Sequence, residues 1–173
     1  MAIYIGIDPG WKNCAYSIVE PSGTMGKIQV IKTGVLNPSE NEYECVKTLS
    51  DLVKDYDVKK YLTIERFVPY NKVFSSDSEN ITMLIGMLKA EFYSKVEELL
   101  LIRAIDWKIK LVQINNKLFG YQSPSTILDK KYSLSIAKFI TNNYEFKTDH
   151  EADATCLAST PLFNSYQPRK KTN

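Results

Sequence analysis

Histidine occurs once in these 173 residues, as His150, and cysteine three times, as Cys14, Cys45 and Cys156. The cysteines are far apart and form no CxxC pair. They therefore read as reduced thiols, not as a zinc site or a disulfide framework. No apolar run is long enough to cross a bilayer, and the amino terminus lacks a signal-peptide pattern. The expectation is a cytoplasmic protein with no membrane partner. Internal repeats and low-complexity stretches are absent too. What is present is ordinary for a globular protein: 44% apolar and 24% charged residues in a chain about one domain long. We expect one domain over residues 1–160 and a short basic tail over 161–173.

The net charge of +2 conceals an asymmetry. Arg103, Lys108, Lys110, Lys117, Lys130, Lys131 and Lys138 face only Asp106 and Asp129 within residues 103–138, and Arg169, Lys170 and Lys171 follow in the tail. The remainder is acidic overall. Such a segment suits a polyanion approaching one side, although a solvated basic face has the same composition.

The stretch Ile3-Tyr4-Ile5-Gly6-Ile7-Asp8-Pro9-Gly10 alternates large apolar residues like a half-buried strand and then stops on a carboxylate. Asp-Pro-Gly is also common turn chemistry, so this motif alone fits a plain turn equally well. Residues 13–20 and 27–34 read as two further strands joined by Pro21-Ser22-Gly23, an antiparallel meander. A helix is expected over 39–56, with acids in its first turn. Tyr61-Leu62-Thr63-Ile64-Glu65 is again a strand ending on an acid. A strand that follows a helix implies a crossover and parallel pairing with the first strand. Asp8 and Glu65 then emerge at one edge of the sheet, where they repel unless a cation lies between them.

A loop is expected over 67–80 and a long helix over 79–100. Ile81, Leu84, Ile85, Leu88, Phe92, Val96 and Leu99 line one face of that helix, and Met83, Gly86, Met87 and Ala90 form a second stripe roughly opposite. Two apolar faces fit either burial within the chain or a homodimer, and we expect the homodimer. A fifth strand is expected over 100–105, a loop over 115–125, a helix capped by Ser133, and a final helix over 149–159, followed by an irregular tail from Pro161. That final helix opens Thr148-Asp149-His150-Glu151-Ala152-Asp153-Ala154. His150 and Asp153 share a face of its first turn, and the small residues imply close packing on the sheet. A surface or capping role for His150, and dipole-driven acids at a helix start, remain the plain alternatives.

Gly6-Ile7-Asp8-Pro9-Gly10, Ile64-Glu65 and His150-x-x-Asp153-Ala154 together resemble the motifs of RuvC-type Holliday junction resolvases, of the ribonuclease H-like nuclease superfamily. Their order and spacing match over nearly the whole chain. The resemblance implies an α/β, ribonuclease H-like fold: a five-stranded mixed sheet, its first three strands antiparallel and the rest parallel, flanked by helices. It also implies a homodimer through the helix after Glu65, with Met83, Met87 and Ala90 at the interface. By matching position, Asp8, Glu65, His150 and Asp153 take the catalytic, metal-binding places, with Asp149 an alternative to His150. Lys108, Lys110, Lys130 and Lys131 occupy places resembling DNA-binding lysines. Phe67, Tyr70 and Phe74 suit stacking on unpaired bases, and equally suit core or dimer contacts. The stretch between Lys110 and Lys131 is longer than a compact bacterial version needs, similar to phage- or virus-encoded relatives.

The implied reaction is metal-dependent phosphodiester hydrolysis resolving four-way DNA junctions by paired symmetric nicks. It needs an activated water and charge relief for the phosphorane-like transition state and the leaving oxygen, which two Mg²⁺ ions about 4 Å apart supply together. Oxygen ligands suit Mg²⁺, and Mn²⁺ is expected to substitute for it; Asp8 is expected to bridge the two ions. Alternatives are another ribonuclease H-like nuclease acting on branched DNA or RNA–DNA hybrids, and a non-catalytic junction-binding protein.

Overall fold

The computed structural model describes residues 2–68, 75–122 and 131–165. The described strands form one sheet of order β3-β2-β1-β4-β5. Strand β1 (Ala2–Asp8) pairs antiparallel with β2 (Cys14–Pro21), which pairs antiparallel with β3 (Ile28–Leu36). On the other side of β1, β4 (Lys59–Glu65) and β5 (Glu98–Ile102) run parallel to it. The mixed sheet is the one the sequence predicts. Its parallel half follows from α1 (Glu42–Lys54), which carries the chain back across the sheet between β3 and β4.

Alternation along β1 decides what each face does. Ile3, Ile5 and Ile7 point to one side, where they meet Val46, Leu49 and Val53 of α1 and Leu84, Leu88 and Phe92 of α2 (Ser76–Phe92). The opposite face is covered by α3 (Ala104–Phe119), α4 (Lys131–Ile140) and α5 (Asp149–Ser165), around Trp107, Leu111, Ile136, Ile140, Leu157 and Phe163. None of the described helices is long and apolar enough to cross a membrane.

Several boundaries differ from expectation. Helix α2 stops at Phe92, not near residue 100, because the backbone N–H of Glu97 already bonds the carbonyl of Lys60 and the chain has begun to join the sheet. The apolar run through Ile102 is therefore β5, a parallel strand whose continuous hydrophobicity carries no period to separate it from a helix. Residues 115–119, expected in a loop, complete α3. Asn115 is fully buried and its side-chain amide donates to the carbonyl of Leu111, and the helix ends only at Gly120, whose φ of 68° is a left-handed cap. Ser133 lies inside α4 and does not cap it. The final helix runs on through Pro161 to Ser165, since burial of Phe163 in the second core holds a turn that proline disfavours. Tyr70, Phe74, Lys130 and the basic residues Arg169, Lys170 and Lys171 lie outside the described residues.

Candidate active site

The parallel register places Ile7 of β1 beside Ile64 of β4, so the next residues along each strand, Asp8 and Glu65, emerge together at the carboxyl edge of the sheet. Ile7 and Ile64 are fully buried toward α1 and α2. By the two-residue period of a strand, the acids that follow them face α3 and α5.

Helix α5 reaches this edge because β1 leaves room for it. A Cβ on Gly6 would overlap the carbonyl oxygen of Ala154 and the backbone nitrogen of Ala158, so only glycine lets the helix lie directly on the strand. Ala152, Ala154 and Ala158 are completely buried along the contact. The helix start is fixed by a reciprocal cap: Thr148 Oγ1 accepts from the Glu151 N–H at 3.2 Å, and Glu151 Oε2 accepts from the N–H groups of Thr148 and Lys147. Glu151 is thus committed to the backbone and is 3% exposed. Thr-x-x-Glu was available in the sequence as the signal for this arrangement.

With α5 so placed, His150 Nδ1 lies 2.9 Å from Asp8 Oδ2. The hydrogen bond to Asp8 raises the imidazole above its ordinary value, against the opposing effect of burial. Asp149 is exposed and accepts from the backbone N–H of His150, so the structure turns His150, not Asp149, toward Asp8. One turn further, Asp153 is pushed up to about 6. Burial is the main cause, with Asp8 adding to it and Lys108, a hydrogen bond from Ser133 and His150 opposing it. Glu65 is pushed up to about 7 by burial first and then by the negative charge of Asp8, with Asp153 contributing. The indole N–H of Trp107 donates to Glu65 Oε2 at 2.8 Å and works against that rise.

Three carboxylates therefore crowd one another in a partly desolvated corner, with Lys108 the basic side chain whose charge reaches both Glu65 and Asp153. Asp153 Oδ1 is buried without a hydrogen-bond partner, an uncommon state that calls for an explanation such as a cation. Hard oxygen donors with an adjacent imidazole fit a divalent ion. As the side chains stand, no three His, Cys, Asp or Glu donors among the described residues converge closely enough to grip an ion.

The remaining expected residues divide. Lys108 points its ammonium over the Trp107 ring, 5.1 Å from the centroid, and Lys110 is half-buried two residues on. Lys131 opens α4 with its side chain exposed. Phe67 packs half-buried against the α1–α2 core, which is the core alternative to a stacking role. On α2, Met83 is 47% exposed and Gly86 and Ala90 are exposed, while Met87 is partly buried against the core. Trp107 and Ser133, each reaching one acid, were not singled out by sequence as parts of the site; a tryptophan on an apolar helix face reads as packing and nothing more.

No family model matches the chain, and no curated protein matches it by sequence. Solved structures do match. Thermus thermophilus RuvC has a TM-score of 0.65 at 17% identity, over 94% of this chain and 95% of that one, and a second structure of it is a complex with a Holliday junction substrate. The yeast mitochondrial Holliday junction resolvase Ydc2 has a TM-score of 0.58 at 18% identity, over 94% of this chain and 80% of that one. Fowlpox virus resolvase, solved with substrate Holliday junction DNA, has a TM-score of 0.58 at 16% identity, over 95% of this chain and 99% of that one. At such identities the likeness shows the fold: this chain has the ribonuclease H-like architecture of these resolvases.

Proposed function

We propose that this protein is a divalent-metal-dependent endonuclease that resolves four-way DNA junctions by paired nicks. The observation that carries the reading is the meeting of Asp8, Glu65 and Asp153 at the carboxyl edge of β1 and β4, with two of the three lifted far above the ordinary carboxylate range. A buried cluster of this kind opposes folding unless a cation compensates it, so its presence on an otherwise well-packed sheet points to function. Strand ends of an α/β sheet are also where ligands reach such folds.

Asp8, Glu65 and Asp153 would hold the metal through oxygen, with the His150 imidazole as a nitrogen neighbour. Bound Mg²⁺ or Mn²⁺ supplies an acidified water and charge neutralisation at the phosphate. The chain's own residues orient and balance. His150 fixes Asp8 from the helix side, and the bond between them raises the imidazole above its ordinary value. Lys108 offsets the acids and lies where a phosphate approaching them would meet positive charge. The likeness to resolvases solved on junction DNA supports the substrate class.

Cleavage of a synthetic four-way junction in Mg²⁺, wild type beside Asp8→Asn, tests the reading. Symmetric paired nicks are expected from the wild type, with junction binding retained and cutting lost in the variant. Equal cutting by Asp8→Asn contradicts the site. Cutting of RNA–DNA hybrids in preference to junctions identifies the other nuclease reading. Binding with no cutting by the wild type identifies a non-catalytic junction binder.

A homodimer through α2 belongs to the same proposal, supported by the exposed stripe at Met83, Gly86 and Ala90. Two sites related by a two-fold axis account for paired nicks. Met83→Glu is expected to shift the sedimenting species from dimer to monomer, and an unchanged dimer moves the interface elsewhere.

A further inference from the structure

Trp107 has no exposed surface and is the largest of the fully buried side chains. It stands in the first turn of α3, on the face buried in the second core with residues of α4 and α5. A buried indole generally finds an acceptor for its N–H, and backbone carbonyls are the common choice. Here the acceptor is Glu65 Oε2, at 2.8 Å and 42 residues away in sequence. A hydrogen bond to an ionised acceptor is roughly twice as strong as one between neutral groups.

Glu65 needs such a partner. Its side chain has three rotatable bonds, and repulsion from Asp8 and Asp153 favours any rotamer that swings it away from them. The indole is rigid by comparison, because Leu111, Ile136 and the rest of the second core hold it in place. Lys108, the next residue, carries its ammonium over the indole face, 5.1 Å from the ring centroid. A cation there draws electron density from the ring and makes its N–H a better donor.

We propose that Trp107 is a positioning residue: by binding Oε2 it pins the Glu65 carboxylate beside Asp8 and Asp153, leaving the other oxygen for a divalent cation. The inference rests on the metal-site reading above and adds to it a partner outside the acids, of the kind that orients metal-binding carboxylates elsewhere.

Calorimetric titration with Mg²⁺ alone tests it, without DNA or turnover. Trp107→Phe keeps an aromatic ring in the core but has no N–H, and it should bind Mg²⁺ about tenfold more weakly or worse. Leu49→Ala, in the core on the other face of the sheet, is the packing control. It should lower the melting temperature while keeping wild-type Mg²⁺ affinity. An affinity in Trp107→Phe within twofold of wild type overturns the proposal, as does an equal loss in Leu49→Ala.

A second measurement does not require the variant to fold. The chain has two tryptophans, so indole-¹⁵N labelling gives two N–H resonances, and Trp11→Phe assigns them. The Trp107 signal should move with Mg²⁺ along the calorimetric isotherm and stay still in Asp8→Asn. A signal that does not move in protein that binds Mg²⁺ overturns the proposal. Wild-type protein that binds neither Mg²⁺ nor Mn²⁺ overturns the metal site and the proposal together. Binding abolished by Asp8→Asn and untouched by Trp107→Phe overturns the proposal alone.

Discussion

The two faces of the sheet are built on different principles, and neighbouring residues of β1 show it. Toward α1 and α2 the strands present Ile3, Ile5, Ile7, Leu62 and Ile64, large and purely apolar. Toward α5 they present Gly6, Ser17 and Thr63, with Ala154, Thr155 and Ala158 of the helix against Gly6 and Ser17, and Ser17, Thr63 and Thr155 are completely buried. Ser17 and Thr155 even bond each other across the interface at 2.8 Å. The first face gains stability from area removed from water. The second gives up much of that area so that a helix backbone can lie directly on a strand, which brings His150 and Asp153 to the edge where Asp8 and Glu65 end. One face holds the fold together; the other holds four side chains in register.

Adjacent substitutions should break this contrast if it is wrong. Gly6→Ala adds one methyl group against the backbone of Ala154 and Ala158, neither of which can rotate away. It should cost about 3 kcal/mol or more in urea unfolding, the upper end for overpacking, and should abolish Mg²⁺ binding in whatever protein still folds. A loss below about 1 kcal/mol would show that α5 is free to shift and does not set the site.

The pH dependence of stability sharpens the comparison next. Glu65 rises from 4.5 to about 7 and Asp153 from 3.8 to about 6 on folding. Between those limits the folded state binds more protons than the unfolded one, so stability falls as pH rises. Their contribution is complete below about pH 4 and is lost as pH rises through about 6 for Asp153 and about 7 for Glu65, on the order of 2–3 kcal/mol for each group taken alone. Metal-free protein should thus unfold at lower urea at pH 7.5 than at pH 5; the opposite order would mean that the acids are not buried together. The smallest effect belongs to the first face: Ile5→Val, one residue from Gly6, should cost about 1 kcal/mol and leave Mg²⁺ binding as it was. A loss of binding there would erase the distinction between the faces.

Much of this was legible in sequence because it rests on local periodicity. A β-branched run ending on Asp8, a second ending on Glu65 and a helix between them suffice to place both acids at one edge. His150 and Asp153 followed from helical spacing. What was not legible depends on contacts with no local signature. The Trp107–Glu65 bond spans 42 residues, and Ser133, which looked like a helix cap, instead reaches Asp153 from inside α4. The boundary between α2 and β5 was hidden by an apolar run that suits either state, and α5 outlasted Pro161 because Phe163 is anchored in the core.

The central claim is that the acids at this edge are kept for a cation. Its most direct measurement is the shift in melting temperature on adding Mg²⁺, taken at pH 7.5 and pH 5 for wild type and Asp8→Asn. A clear upward shift at pH 7.5, largely lost at pH 5 where Glu65 and Asp153 hold protons and absent in Asp8→Asn, is the predicted result. Equal shifts at both pH values, or a wild-type shift preserved in Asp8→Asn, would contradict it.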